Sequence, residues 1–242
     1  MGYCAPRYFM KKRLLLLTGP QGSGNHLWSK IFSEEPTVYG WRQLTQEYWV
    51  GHGMEPFVNL WNNPYKFSLM EWDHELYFTS ISCPKITEGG PVLAEGQSWE
   101  YPKYEEFINE AVKAGFEVSL VIIGRDRNIL ECQQPRVRKE FTFPLFLKIL
   151  ETTLKKHDPF FISTEQLYLY ERTYVEHISK MLNWPITISD EKLNDILKDD
   201  ANKKYISPVK EYWLDTVMAN TKNIKKSENP HILRIKNHEK RT

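Results

Sequence analysis

The apolar positions of the chain fall into short blocks separated by glycine, proline and charge, and the blocks alternate between two periodicities. Residues 14–17 are four successive leucines behind Lys11, Lys12 and Arg13. A run this short is no membrane span, which needs about 20 apolar residues, and it suits a strand buried on both faces of a parallel sheet. It is expected to be the central strand. Residues 23–32 then carry Leu27, Trp28, Ile31 and Phe32 at the spacing of one buried helix face. Residues 76–82 and 92–94 are short strand candidates. Next comes a helix with Pro102 in its first turn, Tyr104, Phe107, Ile108, Ala111 and Val112 on its apolar face, and Gly115 as its stop. Residues 118–123 form a second strongly buried strand, residues 141–156 a helix and residues 159–163 a third core strand. A further helix keeps Tyr174, Val175, Ile178, Met181 and Leu182 on one side, and beyond Ile188 the pattern turns polar. This βα alternation predicts an α/β fold: a three-layer P-loop fold with a central, mainly parallel sheet flanked by helices.

One segment breaks the pattern. Residues 39–78 hold eleven aromatic residues interleaved with Gly51, Gly53, Pro56, Asn62, Asn63 and Pro64, so short helices and loops are expected there. Such a segment forms either a lid or acceptor pocket, or an irregular subdomain packed onto the core.

Composition narrows the class. The 242 residues, 41% hydrophobic and 26% charged, suit one α/β domain, placed at residues 10–200, with a polar, basic segment at 201–242. The net charge of +1 makes no case for nucleic acid or a membrane surface. It hides an asymmetry, because residues 222–242 carry seven Lys/Arg against two Glu. Polyanion binding through that tail alone would vanish with its removal, so a nucleic-acid partner is not expected. Cys4, Cys83 and Cys132 are far apart and without C-x-x-C spacing, which argues against zinc and for a reducing, cytoplasmic compartment. Residues 1–9 read as an extension, and the apolar run behind Arg13 leads into a glycine turn rather than a signal-peptide cleavage site.

The candidate chemistry begins at that turn. Gly19, Gly22 and Gly24 permit positive φ angles and close backbone approach, and the helix that follows aims its positive end at the same place, so the loop is a phosphate cradle. Gly19 and Gly24 fit G-x-x-x-x-G-K-[ST], but Asn25 stands in place of the lysine and His26 in place of the magnesium-ligating hydroxyl. The loop is thus fitted to bind phosphate and poorly equipped for phosphoryl transfer. At the carboxyl end of the second buried strand lies Gly124-Arg125-Asp126-Arg127, followed by Arg136 and Arg138. That end is where open parallel sheets bind ligands, and an arginine there suits a phosphate, or alternatively a local salt bridge with its aspartate.

Three stretches together resemble the sulfotransferase branch of P-loop proteins, which transfer sulfuryl groups from 3′-phosphoadenosine 5′-phosphosulfate (PAPS). Gly22-Ser23-Gly24-Asn25-His26-Leu27-Trp28 is similar to the loop that grips the 5′-phosphosulfate. Val121-Ile122-Ile123-Gly124-Arg125-Asp126 is similar to the strand whose terminal arginine binds the 3′-phosphate. Phe161-Ile162-Ser163-Thr164-Glu165-Gln166-Leu167 and Met181-Leu182-Asn183-Trp184-Pro185 look like the late strand, turn and helix end of that family. The resemblance spans roughly residues 13–185.

It implies PAPS as co-substrate without a metal, and a small-molecule or glycan acceptor. The implied nucleotide-binding residues are Gly19, Gly22, Ser23, Gly24, Asn25, His26, Leu27, Arg125, Gln133 and Arg136. Two departures stand out. Gly22 takes the place of the family's common lysine, and Gln133 that of the serine eight residues after the arginine. Lys85, Arg136 or protonated His26 would have to compensate, and Arg234-Ile235-Lys236 would stand in for a late basic segment. The family's base is a His or Glu near the loop, which leaves His26, Glu71, His74 and Glu95 as candidates. Two other readings compete. A nucleotide or nucleoside kinase would use lid arginines but needs the loop lysine, whereas a non-catalytic P-loop protein would bind nucleotide without turnover.

Overall fold

The computed structural model describes residues 11–40, 57–86 and 98–199. Its centre is a five-stranded parallel sheet formed by β1 (Lys12–Pro20), β2 (Val38–Tyr39), β3 (Leu76–Cys83), β6 (Phe116–Gly124) and β7 (Phe160–Ser163) in the order β2-β3-β1-β6-β7. A two-stranded antiparallel ladder of β4 (Lys85–Ile86) and β5 (Trp99–Glu100) lies apart from it. The leucine run is the middle strand, as its pattern predicts. Leu14 to Leu17 are wholly buried, pairing with β3 on one side and β6 on the other.

Because side chains alternate along a strand, those leucines divide the core between the two faces of the sheet. Leu15 and Leu17 pack with α1 (Asn25–Phe32), α6 (Thr164–Leu182) and α7 (Asp190–Asp199). Leu14 and Leu16 pack with α2 (Phe57–Asn62), the 3₁₀ turn Pro64–Leu69, α3 (Tyr104–Lys113) and α5 (Phe143–Thr152). The result is an α/β fold with helices on both faces of a parallel sheet. Among the described residues no helix is long and apolar enough to cross a membrane.

The described aromatics of residues 57–78 are largely core. Trp61 stacks on Phe107 and meets Tyr104 edge-on, while Trp72, Tyr77 and Phe116 form a cluster of T-shaped contacts. Trp61 Nε1 also donates to Thr79 Oγ1 on β3, at 3.3 Å. Trp41, Tyr48, Trp49, Glu95 and the strand expected at 92–94 lie outside the described residues, as does the segment 201–242.

Four expectations are corrected. Beyond Ile188 the chain is not merely polar: Leu193, Ile196 and Leu197 recur at helical spacing and are buried, so three apolar residues in ten suffice to dock α7. The third core strand, β7, buries only Ile162 fully; Phe161 is 58% exposed. Val112 and Met181 point away from the buried helix faces to which their spacing assigned them. The helix expected at 141–156 ends at Thr152 and continues as a 3₁₀ turn over Leu154–His157. One helix, α4 (Arg127–Arg138), has no apolar periodicity to announce it and carries Pro135 inside. It is started by Asp126, whose Oδ1 accepts from the backbone N–H of Asn128 (2.8 Å) and Ile129 (3.1 Å).

Candidate functional site

The chain leaves β1 for α1 and the β2–β3 side, then returns to β6 on the opposite side, so strand order reverses beside β1. In open α/β sheets such a reversal opens a crevice at the carboxyl ends of the strands. The loop after β1 and Arg125 after β6 both lie at that edge.

The loop has the backbone its glycines permit. Gly22 has φ +83° and Gly24 φ +104°, the left-handed region where a side chain is strained. Three neighbours fix its shape. Thr164, at the start of α6, donates through Oγ1 to the Ser23 carbonyl (2.7 Å) and accepts from Trp28 Nε1 (3.2 Å). A Cβ on Gly24 would stand 3.1 Å from that same hydroxyl. Gln134 on α4 donates through Nε2 to the Gln21 carbonyl (2.7 Å), while its Oε1 accepts from the backbone N–H of Thr142 and Phe143, both at 2.9 Å. Gln21 in turn donates through Nε2 to the Pro84 carbonyl (2.8 Å). Neither Thr164 nor Gln134 is on the list of residues implied by the resemblance. The only sequence signal for Gln134 is its place beside Gln133.

Asn25, at the position of the missing lysine, is buried and tied down. Its Nδ2 donates to Ser82 Oγ at 2.5 Å. That bond anchors the start of α1 to β3. His26 follows, half-buried in the first turn, and Leu27 is buried in the core.

Buried polar atoms collect around this loop. Ser23 Oγ, Asn25 Oδ1 and Gln21 Oε1 have no hydrogen-bond partner among the described residues. Neither do Nε, Nη1 and Nη2 of Arg125, whose side chain has no solvent exposure. Among the described residues Arg125 has one charged neighbour: Glu165 Oε1 lies 3.3 Å from its Nε, outside hydrogen-bond geometry. That carboxylate is already engaged, accepting from the Asp126 N–H (3.1 Å) and from Ser163 Oγ (3.2 Å). Glu165 thus holds the β6 turn against the start of α6, and the guanidinium donors meet no acceptor among the described residues. Buried donors are seldom left so, and an anion would supply the acceptors they lack.

Other expected residues are placed elsewhere. His74 and Glu71 precede β3, at the end of the strand that pairs with Arg13, whereas the loop leaves the end that pairs with Cys83. Roughly 23 Å of strand separates the two ends. There His74 stacks on Tyr39, with ring centroids 4.5 Å apart, and its backbone N–H donates to Tyr77 Oη at 2.7 Å. Arg136 is exposed on α4, and Arg127 is exposed and paired with Glu131. Lys85 is engaged with other side chains, donating to Asn62 Oδ1 (3.0 Å) and lying 3.8 Å from Glu100.

Below the loop, Thr18 Oγ1 sits 2.6 Å from Tyr104 Oη and donates to the Ile81 carbonyl at 2.8 Å. Neither neighbouring acid supplies a base. Burial raises the Tyr104 hydroxyl well above its ordinary range and pushes the Cys83 thiol up to about 12. Thiolate is the nucleophile in alkylation, so at pH 8.5 iodoacetamide is expected to label exposed Cys132 and to spare Cys83 until the protein is unfolded. Peptide mass spectrometry checks this, and prompt native labelling of Cys83 would contradict it. The same shift acts on stability. Above pH 9 the unfolded chain releases a proton that the folded state holds to about 12, so this thiol's contribution to stability declines as pH rises through that window.

No protein-family model matches the chain, and no curated protein matches its sequence.

Proposed function

We propose that this protein is a sulfotransferase that moves a sulfuryl group from PAPS to a hydroxyl or amine of a small-molecule or glycan acceptor. The observation that carries the reading is the Arg125 guanidinium, fully buried at the carboxyl end of β6 with donors that meet no acceptor among the described residues. Holding such a cation away from water costs several kcal/mol unless a partner supplies acceptors, and a phosphate does so in fork geometry. The glycine loop is a second, separate anion cradle on the neighbouring strand. A nucleotide phosphorylated at both the 3′ and 5′ positions has two anionic groups for two such cradles. A nucleoside triphosphate carries its phosphates in one row.

In the reaction the acceptor oxygen or nitrogen attacks sulfur while the bond from sulfur to the bridging phosphate oxygen breaks. The electron pair leaves with 3′-phosphoadenosine 5′-phosphate, and the acceptor's proton passes to a base. Of the candidate bases among the described residues, His26 is the one at the loop. The loop backbone, the α1 amino end and Ser23 Oγ would receive the charge that develops on the leaving phosphate. A non-catalytic nucleotide-binding role is favoured by one observation: Asn25, in place of a charged lysine, is neutral and directs one of its two N–H donors to Ser82 rather than to a ligand.

Titration calorimetry with 3′-phosphoadenosine 5′-phosphate, paired with ATP and magnesium, tests the donor site. Binding of the bisphosphate with weak or no binding of ATP–magnesium is the expected result. The reverse preference would replace this reading with a kinase, and binding of neither would leave the loop a structural element. If the bisphosphate binds but [³⁵S]PAPS gives neither sulfated acceptor nor slow hydrolysis, the non-catalytic role stands.

A further inference from the structure

Position 22 is where the resemblance expects a lysine, and the structure shows what fills the space instead. A Cβ on Gly22 would stand 2.6 Å from Gln133 Oε1, 2.9 Å from its Cδ and 3.1 Å from its Nε2. A side chain leaving the backbone at residue 22 would therefore run into the Gln133 carboxamide, on top of the strain of φ +83°. Gln133 is 7% exposed, and the next residue, Gln134, ties α4 to the Gln21 carbonyl on one side and to the amino end of α5 on the other.

Counting along the chain groups Gln133 with Arg125, as a second ligand of one phosphate. Their neighbours differ: Arg125 lies beside Glu165, whereas Gln133 lies over Gly22. We infer that the Gln133 carboxamide is a ligand of the anion held in the glycine loop, standing in for the lysine as an uncharged N–H donor, and is not a partner of Arg125. The inference rests on the nucleotide-binding reading of this site. A primary amide carries two N–H donors in a fixed plane, so it directs a phosphate oxygen without adding charge. A carboxylate of the same shape would repel that oxygen.

Two nucleotides separate the roles. Adenosine 5′-phosphate offers the loop its anion but lacks the 3′-phosphate, and 3′-phosphoadenosine 5′-phosphate has both. Calorimetry on the full chain is expected to show that Gln133→Met, which keeps the volume and loses the donors, weakens both nucleotides by the same factor, about tenfold, the size of one hydrogen bond to a charged group. Gln133→Glu weakens both further. Arg125→Met instead removes the advantage of the bisphosphate over the monophosphate and leaves the monophosphate unchanged. Near-ultraviolet circular dichroism checks that each variant keeps its packing, and if Gln133→Met does not, Gln133→Glu decides alone. A Gln133 variant that binds the monophosphate as the unaltered protein does overturns the inference, whatever happens to the bisphosphate, and leaves the nucleotide reading in place. If the unaltered protein binds neither nucleotide, both fall.

Discussion

Arg125→Met is expected to reduce the affinity for 3′-phosphoadenosine 5′-phosphate to that for adenosine 5′-phosphate while making the ligand-free protein more stable. The two effects have one cause. In the free protein the guanidinium is a wholly buried cation with a single misaligned carboxylate neighbour and no hydrogen-bond partner among the described residues. Replacing buried ion pairs by apolar groups of similar volume ranges from neutral to a gain of about 1–4 kcal/mol, and the loss that follows removal of one partner arises only where the other is left buried and uncompensated. Glu165, left behind, is one-third exposed and keeps its bonds from the Asp126 N–H and Ser163 Oγ, so it remains solvated and satisfied. A gain of about 1–2 kcal/mol corresponds to a rise in melting temperature of roughly 2–8 °C for a chain of this size. With a bidentate phosphate contact removed, affinity should fall by about 100-fold or more. Differential scanning fluorimetry with and without the bisphosphate reads both numbers in one experiment. The free Met variant melts higher, and the ligand-induced shift seen in the unaltered protein shrinks to the one adenosine 5′-phosphate gives. A variant that melts lower than the unaltered protein would show Arg125 to be a structural ion pair.

Trp184→Ala is expected to give the largest loss of stability, about 3–5 kcal/mol, the range for emptying a buried tryptophan site. Trp184 is fully buried, its Nε1 donates to the Phe32 carbonyl at the end of α1 (3.1 Å), and the Arg13 guanidinium lies 5.5 Å from its ring centroid. Arg13 also donates to the Leu182 carbonyl (3.1 Å), so one side chain joins the start of β1 to the end of α6. In this fold the Met181-to-Pro185 stretch is thus a clasp at the far end of α1 from the glycine loop. Nucleotide affinity measured below the melting transition should therefore stay within about threefold of the unaltered protein. A denaturant midpoint that hardly moves, or an affinity that collapses while the protein stays folded, would contradict this division of labour.

What could be read from the chain was what depends on local order. Four leucines in a row place the central strand, and Gly22 and Gly24 place the two left-handed turns of the loop, because each signal is complete within a few residues. Arg125 could be located because the end of a buried strand is itself a local feature. The supports of the loop could not. Gln134 and Thr164 lie more than 100 residues from their partners, and a lone glutamine or threonine carries no periodicity to mark it. The helix Arg127–Arg138 was equally silent, since Pro135 and its charged residues erase the apolar rhythm while Asp126 supplies the start through its side chain. His74 shows the opposite failure. It is near other candidates in sequence, but a strand of eight residues carries the chain from one edge of the sheet to the other, and proximity along the chain is lost across that length.

The bonds from Gln134 to Gln21 and from Thr164 to Ser23 have a further consequence for biosynthesis. The glycine loop is synthesised before its two anchors, which are made more than 110 and 140 residues later. At roughly 5–20 residues per second, the loop waits on the order of ten seconds before the last of them exists. Throughout that interval β1 also lacks β6, its neighbour on one side. The loop is thus made before the elements that finish it, and a nascent chain stalled before residue 164 would carry the loop sequence without the means to hold its shape.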